Sequence, residues 1–310
     1  MPLNLSVLTL IMPLSYTNTP IVEISTPETI RSGIRLLIKR EDQNHPFLSG
    51  NKWWKLKYNL EAAQQHGHNT ILTFGGAYSN HIYATAAAAY ELGFQSIGVI
   101  RGEETLPLNH TLAFAKSKGM QLHYVSREAY RHKNDVAFIQ QVKDRFGDFY
   151  LIPEGGTNQL AIRGVQEFAH MLKAEIAFDY ICLPVGTGGT IAGIISGLDE
   201  HHDIIGISVL KNGAFLSDEV SQLLKNFSGR VYGNWTIETS YHHGGYAKTN
   251  PQLFAFMDEL TARHKLPLDP VYTAKLMWGV QDMIARGKFR RGSTVLVLHT
   301  GGLQGLQGFR

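Results

Sequence analysis

The sequence of 310 residues contains only one cysteine, Cys182. A single thiol cannot form an internal disulfide, and Cys182 lies in an apolar run, residues 180–183, that is typical of a buried strand. This scarcity excludes a disulfide-stabilised scaffold and favours a protein of the reducing cytoplasm.

An excess of charge of one sign is also lacking. The chain has 29 basic and 26 acidic residues, a formal net charge of +3, and no dense run of lysine or arginine. Such a balance argues against nucleic acid as a partner. With 44% hydrophobic and 18% charged residues, a chain of this length can bury a large core, and we expect two domains.

No segment is long and apolar enough to predict a membrane span. The apolar stretch 3–14 has no preceding lysine or arginine and no clear cleavage site, so we do not expect a signal peptide. The later apolar stretch 181–198 is interrupted by five glycines, which suits a loop and a helix packed inside a protein.

Short apolar runs alternate with helical patterns along most of the chain. Strands are predicted at 70–74, 96–100, 121–125, 180–185, 204–209 and 294–299. Helices are predicted at 53–66, 79–92, 108–118, 135–146, 160–174, 190–199 and 251–263. This alternation predicts an α/β protein with parallel sheets covered by helices on both faces.

Three glycine-bearing turns, residues 74–81, 184–190 and 299–302, follow predicted strands. Ligands bind outside the carboxyl ends of parallel strands, so the three turns could face one cleft. The second turn, Gly186-Thr187-Gly188-Gly189-Thr190, offers backbone N–H groups, a helix N-terminus and two hydroxyls to an anion. It lacks the Lys-Ser/Thr ending of a nucleotide P-loop, which favours a single phosphate; a tight turn without a ligand stays an alternative.

Lys52 follows the turn signal Gly50-Asn51 and is predicted to open a helix packed by Trp53 and Leu56. Partial desolvation and nearby helix-terminal positive charge would lower the pKa of Lys52 and favour the neutral amine that imine formation needs. Taken alone, the pattern around Lys52 favours a surface lysine, and Lys55 and Lys57 lie nearby as competing candidates.

Together, four motifs resemble a known family. Gly50-Asn51-Lys52, the turn containing Ser79-Asn80-His81, the turn 186–190 and the late Thr300-Gly301-Gly302 are similar to motifs of the tryptophan-synthase-β-like pyridoxal-phosphate enzymes, over about residues 38–302. Within them, the chain most resembles the 1-aminocyclopropane-1-carboxylate deaminase and D-cysteine desulfhydrase family. The resemblance implies fold type II: two three-layer αβα domains, the larger from 1–54 and 156–310 and the smaller from 55–155 inserted in it.

The resemblance also implies roles for individual residues. Lys52 becomes the Schiff-base lysine of pyridoxal 5′-phosphate, Asn80 the partner of its 3′ oxygen, and Ser79 a substrate-carboxylate or catalytic hydroxyl. The cofactor's phosphate would be held by Gly186, Thr187, Gly188, Gly189 and Thr190. Thr273 and Thr300 would lie at the edge of the pyridine ring. For Ser79 and Asn80, a helix N-cap is the structural alternative, and it can coexist with ligand contact.

Two tyrosines resemble the family's substrate-side tyrosines. Tyr272 lies in Asp269-Pro270-Val271-Tyr272, a close match, whereas Tyr246 follows Gly244-Gly245 without the usual proline. A buried tyrosine that satisfies one core hydrogen bond is the alternative for both.

The residues beside the second tyrosine and the late glycines distinguish two activities within the family. Its ring-opening deaminases typically carry Glu and Leu there, and its D-cysteine desulfhydrases carry small hydroxyl residues, as this chain does with Thr273 and Thr300. The resemblance therefore implies elimination from D-cysteine, with Lys52 taking the Cα proton and Tyr272 or Tyr246 assisting as proton donor. The alternatives are 1-aminocyclopropane-1-carboxylate deaminase, a β-replacement synthase, and a non-catalytic protein that binds the cofactor or another phosphate-bearing metabolite.

Three further expectations concern the surroundings of the site. Trp53 and Trp54 stand where family members commonly have Leu and Arg, which predicts a pocket that is more apolar and lacks a positive charge. His81, His242, His243 and His299 lack metal-ligand spacing, and no metal is expected. A small amino acid is the implied substrate and a homodimer the implied assembly.

Overall fold

A computed structural model describes residues 14–309. Its strands are β1 Ile21–Ile24, β2 Arg35–Lys39, β3 Thr70–Gly76, β4 Gln95–Arg101, β5 Gln121–Val125, β6 Tyr150–Ile152, β7 Tyr180–Val185, β8 Asp203–Ser208, β9 Trp235–Glu238 and β10 Thr294–Leu298. Its α-helices are α1 Pro27–Ser32, α2 Asn51–Gln65, α3 Asn80–Glu91, α4 His110–Ser117, α5 Arg127–Arg131, α6 Val136–Phe146, α7 Gln159–Glu175, α8 Gly189–Gly197, α9 Leu216–Ser228, α10 Pro251–His264 and α11 Thr273–Ala285. Short 3₁₀ segments follow β2, β6, β8 and β10.

The strands form two separate sheets. The larger has the order β1-β2-β10-β7-β8-β9 and the smaller the order β5-β4-β3-β6. Every pair is parallel except β1 with β2, where Ile21 lies opposite Lys39 in an antiparallel edge. The predicted α/β class with parallel sheets is confirmed, with this one antiparallel edge added.

Helices cover both faces of the larger sheet. Leu37 of β2 faces a core shared with α2, α7, α8 and α9, while its neighbours Leu36 and Ile38 face a second core shared with α10 and α11. Successive strand residues point to opposite faces, so one apolar strand serves both cores.

The smaller sheet is also a three-layer unit. Phe74 and Val99 face a core with α5 and α6, whereas Ile100 faces another with Ile82 of α3 and Leu112 of α4. The four strands of this sheet lie between residues 70 and 152, inside the small domain predicted at 55–155. The predicted limit between residues 54 and 55 falls within α2, which packs against α7. Both domain limits stay predictions.

Two expectations concern segments outside these sheets. Residues 3–13 of the apolar N-terminal stretch, where we expect no signal peptide, lie outside the described residues. Within residues 14–309, no helix is long and apolar enough to cross a membrane.

Candidate active site

One cavity is lined by all three glycine-bearing turns. The turns after β3, β7 and β10 contribute Gly76, Ser79, Asn80, Gly186, Thr187, Gly188, Thr190 and Thr300 to its wall. Lys52, Lys55, Tyr246 and Tyr272 reach it from elsewhere in the fold. These residues therefore lie close together at the carboxyl ends of strands from both sheets, where parallel sheets bind ligands.

The start of α2 places Lys52 in this wall. Gly50, the N-cap of α2, has φ 72° and ψ −146°, a conformation that favours glycine. Its N–H donates to the Glu41 carbonyl at 2.9 Å and lies 2.9 Å from Asn44 Oδ1. A Cβ on Gly50 would overlap the carbonyl oxygen of Thr300, so only glycine lets α2 begin directly against the turn after β10.

The tryptophans after Lys52 face away from the cavity. Trp54 Nε1 donates to Glu41 Oε2 at 2.7 Å, and Trp53 Nε1 donates to the Ser15 carbonyl at 2.8 Å. Both rings are buried, and neither lines the cavity. The expectation of a more apolar pocket without a positive charge is wrong, because the two tryptophan side chains pack at the start of α2, away from the cavity, while Arg101 brings a positive charge to the wall.

Lys52 has an electrostatic environment that suits an amine nucleophile. Burial lowers the pKa of Lys52 to about 8, because the charged ammonium is poorly solvated in this wall. Near neutral pH, a useful fraction of Lys52 is then the neutral amine that can bond to a carbonyl carbon. Asn51 Nδ2 donates to Thr190 Oγ1 at 2.7 Å, which fastens the start of α2 to the start of α8 beside it.

The turn after β7 forms a small cradle with a lysine behind it. Gly188 has φ 76° and ends the turn at the N-terminus of α8. A Cβ built on Gly189 would lie 3.0 Å from Lys55 Nζ and 2.8 Å from Thr157 Oγ1. Lys55 Nζ also donates to Thr157 Oγ1 at 2.9 Å, and Thr157 Oγ1 lies 2.7 Å from Thr187 Oγ1. Glycines, hydroxyls and an amine thus surround a space suited to an anion.

Ser79 and Asn80 combine capping with exposure to the cavity. Ser79 Oγ accepts from the backbone N–H groups of His81 and Ile82, at 3.2 and 3.3 Å, as an N-cap of α3 should. Asn80 Oδ1 accepts from Gln304 Nε2 at 2.8 Å, and no acceptor within residues 14–309 pairs with Asn80 Nδ2. The hydroxyl of Ser79 and the amide of Asn80 can therefore donate into the cavity.

The two predicted tyrosines lie together in the wall. Their ring centroids are 6.1 Å apart, and the Tyr272 ring lies against Gly186, where a Cβ would come within 3.3 Å of it. Burial raises the pKa of Tyr246 and raises the pKa of Tyr272 well above its usual value. Both phenols stay protonated near neutral pH and can donate a hydrogen bond or a proton.

The structure does not place two predicted cofactor residues in the wall. Thr273 Oγ1 lies 2.7 Å from Asp269 Oδ2 and accepts from the Asp269 N–H at 2.8 Å, so its hydroxyl is used within the turn that starts α11. Gly189 lies beneath the wall, against Lys55. Thr300 does line the cavity and is the threonine of the pair that can meet a ligand.

Other wall residues are assigned no role from the sequence. Lys55 is three residues after Lys52 on α2 and so lies on the same helical face, a spacing that could have singled it out over Lys57. Arg101 belongs to no motif, and only the sheet order brings it to the cavity. Glu154, in contrast, begins the segment 154–158, which follows a predicted strand and which the sequence suggests as part of the cleft wall without a role. His81 also lines it; burial, Lys52 and Lys55 hold the pKa of His81 well below its usual value, so the ring is neutral. Within the described chain, no group of three or more His, Cys, Asp or Glu is arranged to hold a metal ion.

Comparison with known proteins identifies the type of site. Residues 12–301 match the family model described as "Pyridoxal-phosphate dependent enzyme". The chain belongs to this family. Its cofactor is therefore pyridoxal phosphate, and the family resemblance carried by the four motifs is confirmed.

Relatives narrow the position within the family of pyridoxal-phosphate enzymes. One is the mitochondrial bifunctional D-cysteine desulfhydrase/1-aminocyclopropane-1-carboxylate deaminase of Arabidopsis thaliana, 31% identical over 94% of this chain and 78% of its own length. Another is the D-cysteine desulfhydrase of Yersinia pestis (strain Pestoides F), 29% identical over 88% of each protein. A crystal structure described as an ACC deaminase homologue superimposes with a TM-score of 0.82 and 29% identity, covering 94% of this chain and 91% of the other. These findings confirm fold type II.

The cavity fits this cofactor on its own geometry. Lys52 offers an amine to the aldehyde, and the cradle from Gly186 to Thr190, where a side chain at Gly189 would strike Lys55 and Thr157, offers room and donors to the phosphate. The free donor of Asn80 would face the ring hydroxyl. These assignments of Lys52, Asn80 and the cradle are proposals for this chain.

Replacing Lys55 should weaken cofactor binding. Burial and the charge on Lys52 hold the pKa of Lys55 well below its usual value, and a phosphate dianion would favour its protonated form. Loss of a charge-assisted hydrogen bond costs about 1.5–3 kcal/mol, so Lys55→Gln should raise the Kd for pyridoxal phosphate by about ten- to a hundredfold. Cofactor titration of the apoenzyme, followed by absorbance, measures this change.

Lys57 provides the matched control for Lys55. Its Nζ lies 2.7 Å from Glu167 Oε2 and it does not line the cavity. Lys57→Gln should leave the Kd for the cofactor unchanged. If the Lys55→Gln and Lys57→Gln proteins bind pyridoxal phosphate with equal affinity, Lys55 does not take part in binding the cofactor.

Proposed function

We propose that the protein is a pyridoxal-phosphate-dependent D-cysteine desulfhydrase, which converts D-cysteine and water to pyruvate, hydrogen sulfide and ammonia. The observation that carries this proposal is Thr300 in the wall of the cavity. By the resemblance, ring-opening members of the family carry leucine at this position, and they carry glutamate in place of Thr273, whose hydroxyl binds Asp269 outside the wall.

The acidic groups of the wall agree with this choice. Within the described chain, Glu154 is the only carboxylate of the cavity lining, and it lies beyond β6 rather than beside Thr300. A carboxylate at the pyridine nitrogen would keep the ring protonated and strengthen its capacity to accept electrons, as cleavage of a carbon–carbon bond requires. A hydroxyl there suits elimination, in which a leaving group departs from Cβ once the Cα proton is lost.

Residues of the chain would bind the substrate and transfer its protons. When bound, the cofactor withdraws electrons from Cα of the amino acid joined to it. The Ser79 hydroxyl, the Asn80 amide and the backbone N–H groups of their turn would hold the substrate carboxylate. Lys52 Nζ, with its pKa lowered to about 8, would accept the Cα proton. Tyr272 or Tyr246 would donate a proton to the departing hydrosulfide.

The names of the two relatives support both desulfuration of D-cysteine and deamination of 1-aminocyclopropane-1-carboxylate. The Yersinia relative is named for desulfuration of D-cysteine, and the Arabidopsis relative for that reaction and for deamination of 1-aminocyclopropane-1-carboxylate. Thr300 in the cavity wall favours the first activity for this chain.

Product assays with three substrates test the proposal. Cofactor-loaded protein is given D-cysteine, L-cysteine or 1-aminocyclopropane-1-carboxylate, and sulfide, 2-oxo acid and ammonia are measured. We expect sulfide and pyruvate in equal amounts from D-cysteine, and little 2-oxo acid from the other two. Release of 2-oxobutyrate from 1-aminocyclopropane-1-carboxylate at a higher kcat/KM than pyruvate from D-cysteine would assign the deaminase activity instead.

The assembly and the compartment are proposals of the same kind. We propose a homodimer, as the resemblance implies, and the sedimentation rate of the purified protein checks it. We also propose a cytoplasmic protein, because the only thiol, Cys182, is fully buried in β7 and available for no disulfide.

A further inference from the structure

A cationic side chain enters the cavity from the smaller sheet. Arg101 is the last residue of β4 and pairs in register with Gly76, the last residue of β3. Its Nη2 would lie 3.4 Å from a Cβ built on Gly76, which places the guanidinium beside the turn that holds Ser79. The side chain is exposed to solvent and forms part of the cavity wall.

No carboxylate in the described part of the chain neutralises Arg101. Among residues 14–309, none lies within ion-pair distance of its guanidinium, which instead lies over the Tyr130 ring with its carbon 5.7 Å from the ring centroid. Glu154 shares the wall but is already bound, because its Oε1 accepts from Tyr130 Oη at 2.8 Å and its Oε2 lies 3.3 Å from Lys133 Nζ. The wall therefore holds three basic side chains, Lys52, Lys55 and Arg101, and one carboxylate, Glu154, which is already paired.

The two tyrosines of the cavity wall do not supply an anionic partner for Arg101 either. The charge of Arg101 favours the ionised form of the Tyr246 phenol, yet burial keeps the pKa of Tyr246 raised, and Tyr272 is held protonated more strongly. A planar guanidinium in the cavity wall, beside neutral phenols and without a carboxylate partner, is suited to bind an anionic oxygen or sulfur atom.

We propose that Arg101 is a specificity-determining residue, which binds a negatively charged group on the side chain of the amino-acid substrate. The inference rests on the proposed function in that it takes the same cavity as the substrate site. The class includes the thiolate form of D-cysteine and also amino acids whose Cβ carries a sulfate, phosphate or carboxylate.

For a phosphate ester the reaction balances in the same way as for D-cysteine. The Cα–H bond breaks and its proton goes to Lys52, and the Cβ–O bond breaks with its electron pair leaving on phosphate. Water then supplies the oxygen of pyruvate as ammonia leaves. O-phospho-D-serine and water would give pyruvate, ammonia and phosphate.

A pair of unreactive ligands of nearly equal shape tests binding without requiring turnover. D-aspartate carries the side-chain charge and D-asparagine does not, and each is titrated into cofactor-loaded protein while the cofactor absorbance is followed. We expect the wild type to bind D-aspartate about tenfold more tightly than D-asparagine. Arg101→Gln should remove this preference and Arg101→Lys should keep part of it.

Arg127 provides the control for a general loss of positive charge. It is exposed on α5 and lies outside the cavity wall, so Arg127→Gln should keep the full preference. Equal binding of both ligands by the wild type, or an unchanged preference in Arg101→Gln, would overturn the inference. Equal weakening of both ligands by Arg101→Gln would also overturn it, because Arg101 would then bind the α-carboxylate.

Turnover of O-phospho-D-serine and β-chloro-D-alanine separates this inference from the proposed function. Both can undergo the same elimination, but only the first has an anionic substituent. We expect Arg101→Gln to raise KM for O-phospho-D-serine about tenfold and to change KM for β-chloro-D-alanine less than about twofold. Arg101-dependent binding of D-aspartate by a protein that eliminates from no substrate would support the inference and contradict the proposed function. Turnover of D-cysteine without that preference would do the reverse.

Discussion

Lys52→Ala should reduce the rate of D-cysteine elimination by at least about a thousandfold, since a single positioned proton-transfer group contributes about 10²–10⁴ and Lys52 would also hold the cofactor. The same variant should lose the visible absorbance band of lysine-bound cofactor. Steady-state sulfide release and an absorbance scan of the purified protein measure both effects. Lys57→Ala, on the outer face of α2 beside Glu167, should retain activity within about twofold.

The pH dependence of cofactor uptake gives a second readout for Lys52. A pKa lowered to about 8 means that the reactive neutral amine forms at lower pH than in an ordinary lysine. The rate of covalent cofactor uptake by the apoenzyme should therefore rise with pH and level off above about 8. A rate that keeps rising towards pH 10 would contradict the lowered pKa of Lys52, and a Lys52→Ala protein that stays yellow and active would exclude Lys52 as the cofactor lysine.

Gly50→Ala should destabilise the fold far more than a typical glycine substitution. Gly50 has φ 72° and ψ −146°, which an alanine adopts only with strain of about 1–3 kcal/mol. The added Cβ would also overlap the carbonyl oxygen of Thr300, a backbone atom that cannot rotate away. We expect a loss of more than about 3 kcal/mol in the free energy of unfolding, together with weak cofactor binding, because Lys52 and Thr300 would both shift.

Gly67, just beyond the other end of α2, is the control for this prediction. It has φ 75° and an added Cβ would meet nothing within 4 Å. Gly67→Ala should therefore cost only about 1 kcal/mol, the strain of a left-handed alanine. Urea unfolding of the two variants, followed by circular dichroism, compares them. Equal losses would show that α2 does not depend on close approach to the turn after β10.

The sequence pattern predicts much of the fold because most strands combine apolar runs with flanking turns. Strands β3, β4, β5, β7, β8 and β10 fall where they are expected. Strand β2 is not predicted, because Lys39 is of a residue type that usually lies on the surface. In the structure, Lys39 Nζ is buried and lies 2.7 Å from Oε2 of Glu175, which is 136 residues away in the sequence. Helix α11 is not predicted, because Gly279 interrupts its helical pattern. A Cβ built on Gly279 would lie 2.9 Å from the Tyr241 ring, so close packing of that ring requires a glycine there.

The residues of the candidate site likewise include some that the sequence predicts and some that it does not. Motifs of consecutive residues predict the three turns that line the cavity, because a turn is a local structure. The sequence does not distinguish Lys55 from Lys57, since choosing between them requires knowledge of which face of α2 meets the turn after β7. Arg101 carries no motif at all. Its place in the wall follows from the pairing of β4 with β3, a contact between distant parts of the sequence.

Two residues show that contacts of single side chains do not follow from the family resemblance. Thr273 was expected at the cofactor, but Asp269 accepts its hydroxyl hydrogen bond and the backbone N–H groups of Val271, Tyr272 and Thr273. Trp54 was expected to make the pocket apolar, but its indole N–H donates to the buried Glu41 carboxylate. In both cases a buried polar group needs a partner, and that need fixes the side chain away from the cavity.

Borohydride reduction of the cofactor-loaded protein, followed by peptide mass mapping, identifies the lysine that carries pyridoxal phosphate. We expect the mass of the reduced cofactor on Lys52 alone, with Lys55 in the same helix unmodified. The structure offers a demanding comparison, because burial also lowers the pKa of Lys275 to about 8, although its Nζ donates to the Gly245 carbonyl at 2.7 Å outside the cavity wall. Modification of Lys55 or Lys275 in place of Lys52, or the absence of any modified lysine, would contradict the assignment of this cavity as the active site.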